Sequence, residues 1–432
     1  MKRGFYTIMA AQFFSSLADN ALFIAAIALI QQLHGPAWMT PMIKWIFAVS
    51  YVLLAAFVGA FADARPKGKV MFITNLIKVA GCLMMFFYDL INLPANNEVY
   101  VVFIAYALVG IGAAAYSPAK YGILTELLEP EQLVKGNGWI EALTVLSIIF
   151  GVVLGGVLIS PKVSFMLLSL DLPFIDTAID TPAESAIIVI IFLYVLAAIF
   201  NLAIPDTGAR YPKQYRRPVQ LVKDFSHCVF TLWKDKLGQI SLAVTTLFWG
   251  AGATLQLIVI EWGKQHLGLS LSQASVLMGV ASIGTIAGAV LAGRYISLKK
   301  ALTTLPVGIA MGLVVMLMPL VTNQWFVYAL LIVIGGLGGF FVVPMNALLQ
   351  HRGHVLLSAG HSIAVQNFNE QLNILLMVAA YSFMLGMQLH INVIIVIFGL
   401  LVALLMCVLI YWNKINHIRQ PHLNDVIGAA RH

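Results

Sequence analysis

Long apolar runs separated by short polar stretches recur along the whole chain, and runs of that length predict helices that cross a membrane. They fall at 5–33, 38–62, 69–91, 99–125, 134–160 and 184–204, and then at 240–262, 272–293, 301–321, 324–349, 358–385 and 389–412. The pattern predicts an all-α integral membrane protein with twelve transmembrane helices in two six-helix halves. On this reading residues 1–204 form the first bundle, 205–239 a basic cytoplasmic linker, 240–413 the second bundle and 414–432 a tail. Within the linker Val222, Phe225, Val229, Phe230 and Trp233 recur at helical spacing opposite Lys223, Asp224, Lys234 and Asp235. That spacing suits a helix lying on the inner membrane surface. A solvated linker helix fits the same residues equally well.

One stretch repeats. YALVGIGAAAYSPAKYGILTE (106–126) and YALLIVIGGLGGFFVVPMNALLQ (328–350) align so that Gly110, Gly112 and Pro118 fall on Gly336, Gly338 and Pro344 at a constant offset of 226 residues. Proline removes a helix hydrogen bond and clashes with the preceding turn, so a kink is expected near Ser117. At the same offset Lys120 falls on Asn346. Two related halves around an asymmetric central site would give this pattern, with the cation in one copy only. Lys120, the neighbouring Tyr116 and Asn346 are therefore candidate substrate-binding residues, and Pro118 and Pro344 candidate conformational residues.

Composition narrows the class further. The chain is 61% hydrophobic and 10% charged, with a mean hydropathy of +0.92, which excludes an ordinary soluble domain. Twenty of the 25 Lys and Arg fall on the side of the N-terminus, against Lys162 and Lys264 opposite; Lys44, Lys78 and Lys120 lie within spans. That asymmetry places both termini in the cytoplasm and turns the net charge of +7 into a topology signal, not a nucleic-acid footprint. Met1-Lys2-Arg3 leads straight into an apolar run, so no cleavable leader is expected. Cys82, Cys228 and Cys407 are widely spaced and point to neither disulfides nor a thiolate metal site.

Polar groups inside the spans carry the candidate chemistry, because a charge at mid-membrane costs about 2.5–3.5 kcal/mol on insertion scales. Asp19, beside Asn20 in SSLADN, must face a cavity or meet a cation. Lys78 and Lys120 are both possible partners, in a static pair that fixes packing or in a working site. Lys78 could instead snorkel to the inner face. In the fifth span Asn137, Glu141 and Thr144 share a helical face, and Glu141 is a gating candidate near the cytoplasmic end. The eleventh span is densest: Gln366, Asn369, Glu370 and Asn373 form one stripe, with Asn367 beside it. Such a stripe lines a cavity more readily than it faces lipid. The outward loop 160–184 is acidic, with Asp171, Asp176, Asp180 and Glu184.

Other chemistry finds little support. His351, His354 and His361 lack acidic or thiol neighbours, so no metal site is expected. GAFADARPKGKV has a Gly-Lys pair without a following Ser or Thr or a preceding strand, so it is not a phosphate loop. The glycine pairs 335–336 and 338–339 read as packing. No Ser/His/Asp set, HExxH or HxxxxD pattern is present, so neither an enzyme nor a cofactor is expected.

The loop with Gly59, Asp63, Gly68 and Lys69 is similar to the signature joining spans two and three of the major facilitator superfamily, with a longer Asp-to-Gly gap. GVVLGG (151–156) is similar to its fifth-span glycine motif, with Val152 where proline is common. The resemblance implies the major facilitator fold and conformational roles for Gly59, Asp63 and Lys69. Over nearly the whole chain, SSLADNAL, GIGAAAYSPAKYGIL, LFWGAGATL, GGFFVVPMNALLQ and AVQNFNE resemble the bacterial lysophospholipid transporter family. That resemblance implies movement of lysophospholipids, such as lysophosphatidylethanolamine, from the outer to the inner leaflet of the inner membrane. An acyl-ACP synthetase/acyltransferase partner would then reacylate them. Asp19, Asn20, Lys120, Gln366, Asn367 and Glu370 would be the cavity residues; Gln256 stands where a basic residue is expected. A proton-coupled exporter of drugs or small amphiphiles and a non-transporting scaffold for the acyltransferase are the alternative readings.

Overall fold

The computed structural model describes residues 3–63, 65–90, 97–127, 130–169, 180–208, 217–357 and 359–427. Asp171 and Asp176 of the acidic loop lie outside them, as do the side chains of Asp63, Glu141, His354 and His361. The helices are α1 (Arg3–Gln32), α2 (Met39–Leu54), α3 (Val58–Asp63), α4 (Lys67–Phe86), α5 (Glu98–Leu127), α6 (Pro130–Leu158), α7 (Pro161–Leu168) and α8 (Pro182–Leu202). After these come α9 (Pro218–Lys234), α10 (Lys236–Gln265), α11 (Leu271–Tyr295), α12 (Leu305–Val315), α13 (Gln324–Leu356), α14 (Ala359–Gly386) and α15 (Ile391–Arg419). There is no strand among the described residues.

Local chemistry sets the ends. Thr181 and Glu184 form a capping box at the start of α8: the Thr181 hydroxyl accepts from Glu184 N, and the Glu184 carboxylate accepts from Thr181 N at 3.1 Å. Asp235 caps α10, and Asn323 caps α13 by accepting from Trp325 N. Pro161 follows Ser160 at a 67° bend between Leu143–Leu158 and Pro161–Leu168, where proline cannot continue the preceding ladder. By contrast, α5 and α13 run as single helices through Pro118 and Pro344.

Nine helices among the described residues are long and apolar enough to cross a membrane, or ten if the bent pair counts as one span. The expected twelve is therefore not reached on this measure, for readable reasons. The second predicted span divides at residues 55–57 into the 16-residue α2 and the short α3. The eleventh, α14, carries the polar run from Gln366 to Asn373, which lowers its hydropathy. The fifth is the bent pair itself, and the ninth passes although it opens with a 3-10 turn (Leu298–Thr304) before α12.

Two compact units divide the chain: Met1–Arg216 with Ser270–Val276, and Arg217–Leu269 with Leu277–His432. In the first, α1 packs on α6 and α8, while α4 packs on α5 and α8. In the second, α10 packs on α13, α14 and α15, and α12 packs on α15. The helix of the linker, α9, belongs to the second unit and packs on α10, α13 and α14. Phe225, Val229 and Trp233 lie against a core of Leu232, Leu242, Leu349 and Val365, so most of the apolar face read from the sequence is used inside the protein. Val219, Val222 and Phe230 remain exposed.

Glycines set the closest helix contacts. A Cβ at Gly155 would meet Ala21 O at 2.9 Å, so α6 lies directly on the α1 backbone. In the second unit, Cβ atoms at Gly284 and Gly288 of α11 would collide with the carbonyls of Ile332 and Gly336. Those at Gly335 and Gly339 of α13 would collide with the carbonyls of Ala281 and Thr285.

Candidate functional site

Each unit holds a buried polar cluster among its described residues. In the first, Ser15 and Asp19 stand one turn apart on α1, and Asn75 and Lys78 one turn apart on α4, so each pair shares a helix face. The Lys78 ammonium donates to Asp19 Oδ2 at 2.9 Å and to Ser15 Oγ at 3.0 Å. The Ser15 hydroxyl donates onward to Asn75 Oδ1 at 2.8 Å. From α8, the Tyr194 hydroxyl donates to Asp19 Oδ1 at 2.6 Å, the short distance expected for a phenol on a carboxylate. Lys78 also faces the rings of Tyr116 and Tyr194, at 5.1 and 5.5 Å from their centroids. Its side chain is 1% exposed and that of Asp19 21%.

Removing two charges from water is unfavourable unless both are paired and hydrogen-bonded. Here both oxygens of the carboxylate are engaged, and the ammonium has two oxygen acceptors and two aromatic faces. Gly112 permits this approach: a Cβ there would meet Thr74 O at 2.7 Å and Lys78 Cγ at 2.8 Å. The buried Tyr116 hydroxyl and Asn75 Nδ2 have no hydrogen-bond partner, leaving two donors at the edge of the cluster.

Of the two lysines left open as partners for Asp19, Lys78 makes the ion pair. Lys120 is buried one turn beyond Tyr116 on α5. Asn20 turns back on its own helix, donating to Ser16 O at 2.8 Å, and lies beside Gly151 of α6. Sequence reasoning missed Tyr194. Its only signal is a lone hydroxyl in the aliphatic run IIVIIFLYVLAAIF, where an aromatic residue also suits a lipid contact.

In the second unit the stripe on α14 meets α13 and α10. Gln366 Nε2 donates to Asn346 Oδ1 at 3.0 Å and to Glu370 Oε1 at 2.7 Å. Asn369 Oδ1 accepts from Trp233 Nε1 at 3.0 Å. Asn373 Nδ2 donates to Thr246 O on α10 at 2.9 Å, where Gly250 makes room for it. Gln366, Asn369 and Glu370 are buried, whereas Asn367 and Asn346 are half-buried. Gln256 is half-buried on α10.

Of the gating candidates, Gly59 lies in α3 and Lys69, exposed, in the first turn of α4. Pro118 and Pro344 lie two residues before Lys120 and Asn346. Glu141 is on α6, with its side chain outside the described residues. Among the described residues no group of three or more His, Cys, Asp or Glu could hold a metal ion. In α9, burial and then Asp224 push the Cys228 thiol up, away from the thiolate form that binds metals or attacks disulfides.

Residues 8–372 match the Major Facilitator Superfamily. The chain is 40% identical over 383 residues to the lysophospholipid transporter LplT of Yersinia enterocolitica (serotype O:8 / biotype 1B), covering 88% of this chain and 87% of that protein. It is equally similar, over the same shares, to LplT of Yersinia pestis (strain Pestoides F). In fold it is similar to a bacterial homologue of the human lysosomal transporter Spinster in an inward-facing, unoccupied conformation. That match has a TM-score of 0.62 at 14% identity, covering 99% of this chain and 98% of the other. The nucleoside transporter NupG aligns with a TM-score of 0.67 at 12% identity, covering 96% of this chain and all of that one. These two likenesses carry the fold alone; the family match makes it the major facilitator fold, and its long apolar helices make it a multi-pass, all-α membrane protein. Taken with the identity over 88% of its length, they leave one conclusion: the chain belongs to the lysophospholipid transporter family of the Major Facilitator Superfamily.

Proposed function

We propose that this protein moves lysophospholipids, such as lysophosphatidylethanolamine, from the outer to the inner leaflet of a bacterial inner membrane by alternating access. The observation that carries the reading is the 40% identity, over 88% of the chain, to lysophospholipid transporters. The lysine and arginine asymmetry supports an orientation with both termini in the cytoplasm. An acyl-ACP synthetase/acyltransferase is the proposed partner that restores the missing chain. The protein itself performs no bond chemistry in this scheme.

A lysophospholipid has one acyl chain and a phosphate-bearing head, and the head must cross a low-dielectric slab. A transporter therefore has to offer it donors and charge in place of water. Asp19 is balanced by Lys78; Lys120 is assigned to the phosphodiester and Glu370 to an ammonium on the head. Asn20, Tyr116, Asn346, Gln366 and Asn367 supply the surrounding polar contacts. Gly59, Asp63, Lys69, Glu141, Pro118 and Pro344 are assigned to the conformational change.

The test is uptake by purified protein in liposomes, with labelled lysophosphatidylethanolamine and its diacyl counterpart compared side by side. The expected result is movement of the lysolipid alone. Lys120→Ala is expected to abolish it while the protein stays folded in the membrane; normal uptake by that variant removes the phosphate assignment. Uptake that collapses with a proton gradient and extends to phosphate-free amphiphiles would point to the exporter instead. Co-purification with the acyltransferase without lipid movement would point to the scaffold.

A further inference from the structure

A buried ion pair and an indole hydrogen bond join the α9–α10 junction to α13 and α14, the two helices that hold the polar cluster of the second unit. Asp235 caps α10, its Oδ2 accepting from Gly238 N at 2.7 Å. The same carboxylate receives the guanidinium of Arg352, through Nε at 3.0 Å and through Nη2. The Arg352 side chain is 8% exposed and that of Asp235 16%. Arg352 lies on α13 beyond Asn346 by six residues, roughly 9 Å along the helix axis. Two residues before Asp235, Trp233 donates from Nε1 to Asn369, the residue preceding Glu370 on α14. Asn369 Nδ2 is turned back to Val365 O at 2.8 Å, so its amide is oriented from both ends. Phe225 meets Phe368 edge-on, at 5.4 Å between centroids, on the same side of α14.

The cluster itself needs such help. Gln366 donates to acceptors on two helices, Asn346 on α13 and Glu370 on its own α14, which holds only while the two helices keep one rotation and one height. A side-chain hydrogen bond weakens steeply once its angle or distance drifts, so small slips of either helix break the set. A guanidinium–carboxylate fork fixes direction as well as distance, and an indole N–H reaches its acceptor along one line. We propose that Trp233, Asp235 and Arg352 are positioning residues for the substrate-binding cluster of the second unit. They hold α13 in height and α14 in rotation so that Gln366 reaches Asn346 and Glu370 together. This rests on the reading of the protein as a lysophospholipid transporter.

The test uses the full-length protein in liposomes, with uptake of labelled lysophosphatidylethanolamine normalised to folded protein. Trp233→Phe keeps a ring in the packed core and removes the N–H. Asp235→Asn keeps a cap for α10 and removes the charge. Each is expected to raise KM roughly five- to tenfold, the size of a hydrogen bond lost from a buried acceptor, with the maximal rate within about twofold. The double variant Asp235→Asn/Arg352→Gln is expected to be no worse than Asp235→Asn alone, since the two side chains act as one unit. A purely structural role would lower the yield of folded transporter and leave KM unchanged, and an unchanged KM overturns the proposal. Hydrogen exchange over residues 365–373 gives a readout independent of transport: Trp233→Phe is expected to speed it without changing exchange in α4. Should the wild type carry no lysolipid, the transport reading falls, and unchanged exchange over 365–373 then overturns the positioning role by itself.

Discussion

In the first unit Asp19 meets an ammonium at 2.9 Å and a phenol at 2.6 Å, with Ser15 and Asn75 extending the chain. In the second unit Glu370 accepts from the amide of Gln366, whose nitrogen also reaches Asn346. The two clusters are built on different helices, α1, α4 and α8 in the first unit and α13 and α14 in the second. The Pro118-to-Lys120 spacing of α5 returns in α13 as Pro344 and Asn346. The first unit thus carries an internally compensated ion pair, and the second an amide-rich cluster.

Substitution should separate the two clusters by size of effect. The largest is expected for Lys78→Ala, which leaves the half-buried Asp19 without its cation and costs about 3 kcal/mol of stability, the low end for a buried pair. Thermal unfolding in detergent would read it, and Asp19→Asn combined with Lys78→Met should recover most of the loss. Recovery absent in the double variant would mean that the pair is not the unit that matters. Tyr194→Phe comes next. It removes a donor to a charged oxygen and should cost about 1.5–3 kcal/mol in the same melts. The smallest is Asn346→Ala, where a neutral amide loses a neutral partner and the cost is about 1 kcal/mol. An Asn346→Ala loss equal to that of Lys78→Ala would erase the distinction between ionic and amide clusters.

The helical plan was legible because most spans advertise themselves by length and hydropathy, and because Gly110, Gly112 and Pro118 reappear at one offset. The stripe on α14 was legible for a similar reason: Gln366, Asn369, Glu370 and Asn373 are neighbours along one helix, and helical spacing alone puts them on a common face. What the sequence left open lies between helices. Asp19 announces that it needs a cation, but the choice of Lys78 over Lys120 depends on how α4 and α5 pack against α1, which periodicity does not encode. Tyr194 is 175 residues from Asp19, and its hydroxyl is indistinguishable in sequence from that of a lipid-facing tyrosine. The linker helix taught the converse: its apolar face was visible, but its occupant turned out to be the core around Leu232, Leu242, Leu349 and Val365.

Where α11 crosses α13, peptide groups touch peptide groups through Gly284, Gly288, Gly335 and Gly339. Ordinary helix interfaces can creep, because flexible side chains between them trade one rotamer for another. This seam has no such lubricant, and a Cβ added at any of the four glycines would strike the facing backbone. A displacement of the glycine run of α13 therefore reaches Asn346 only by way of Pro344, which lies between them on the same helix.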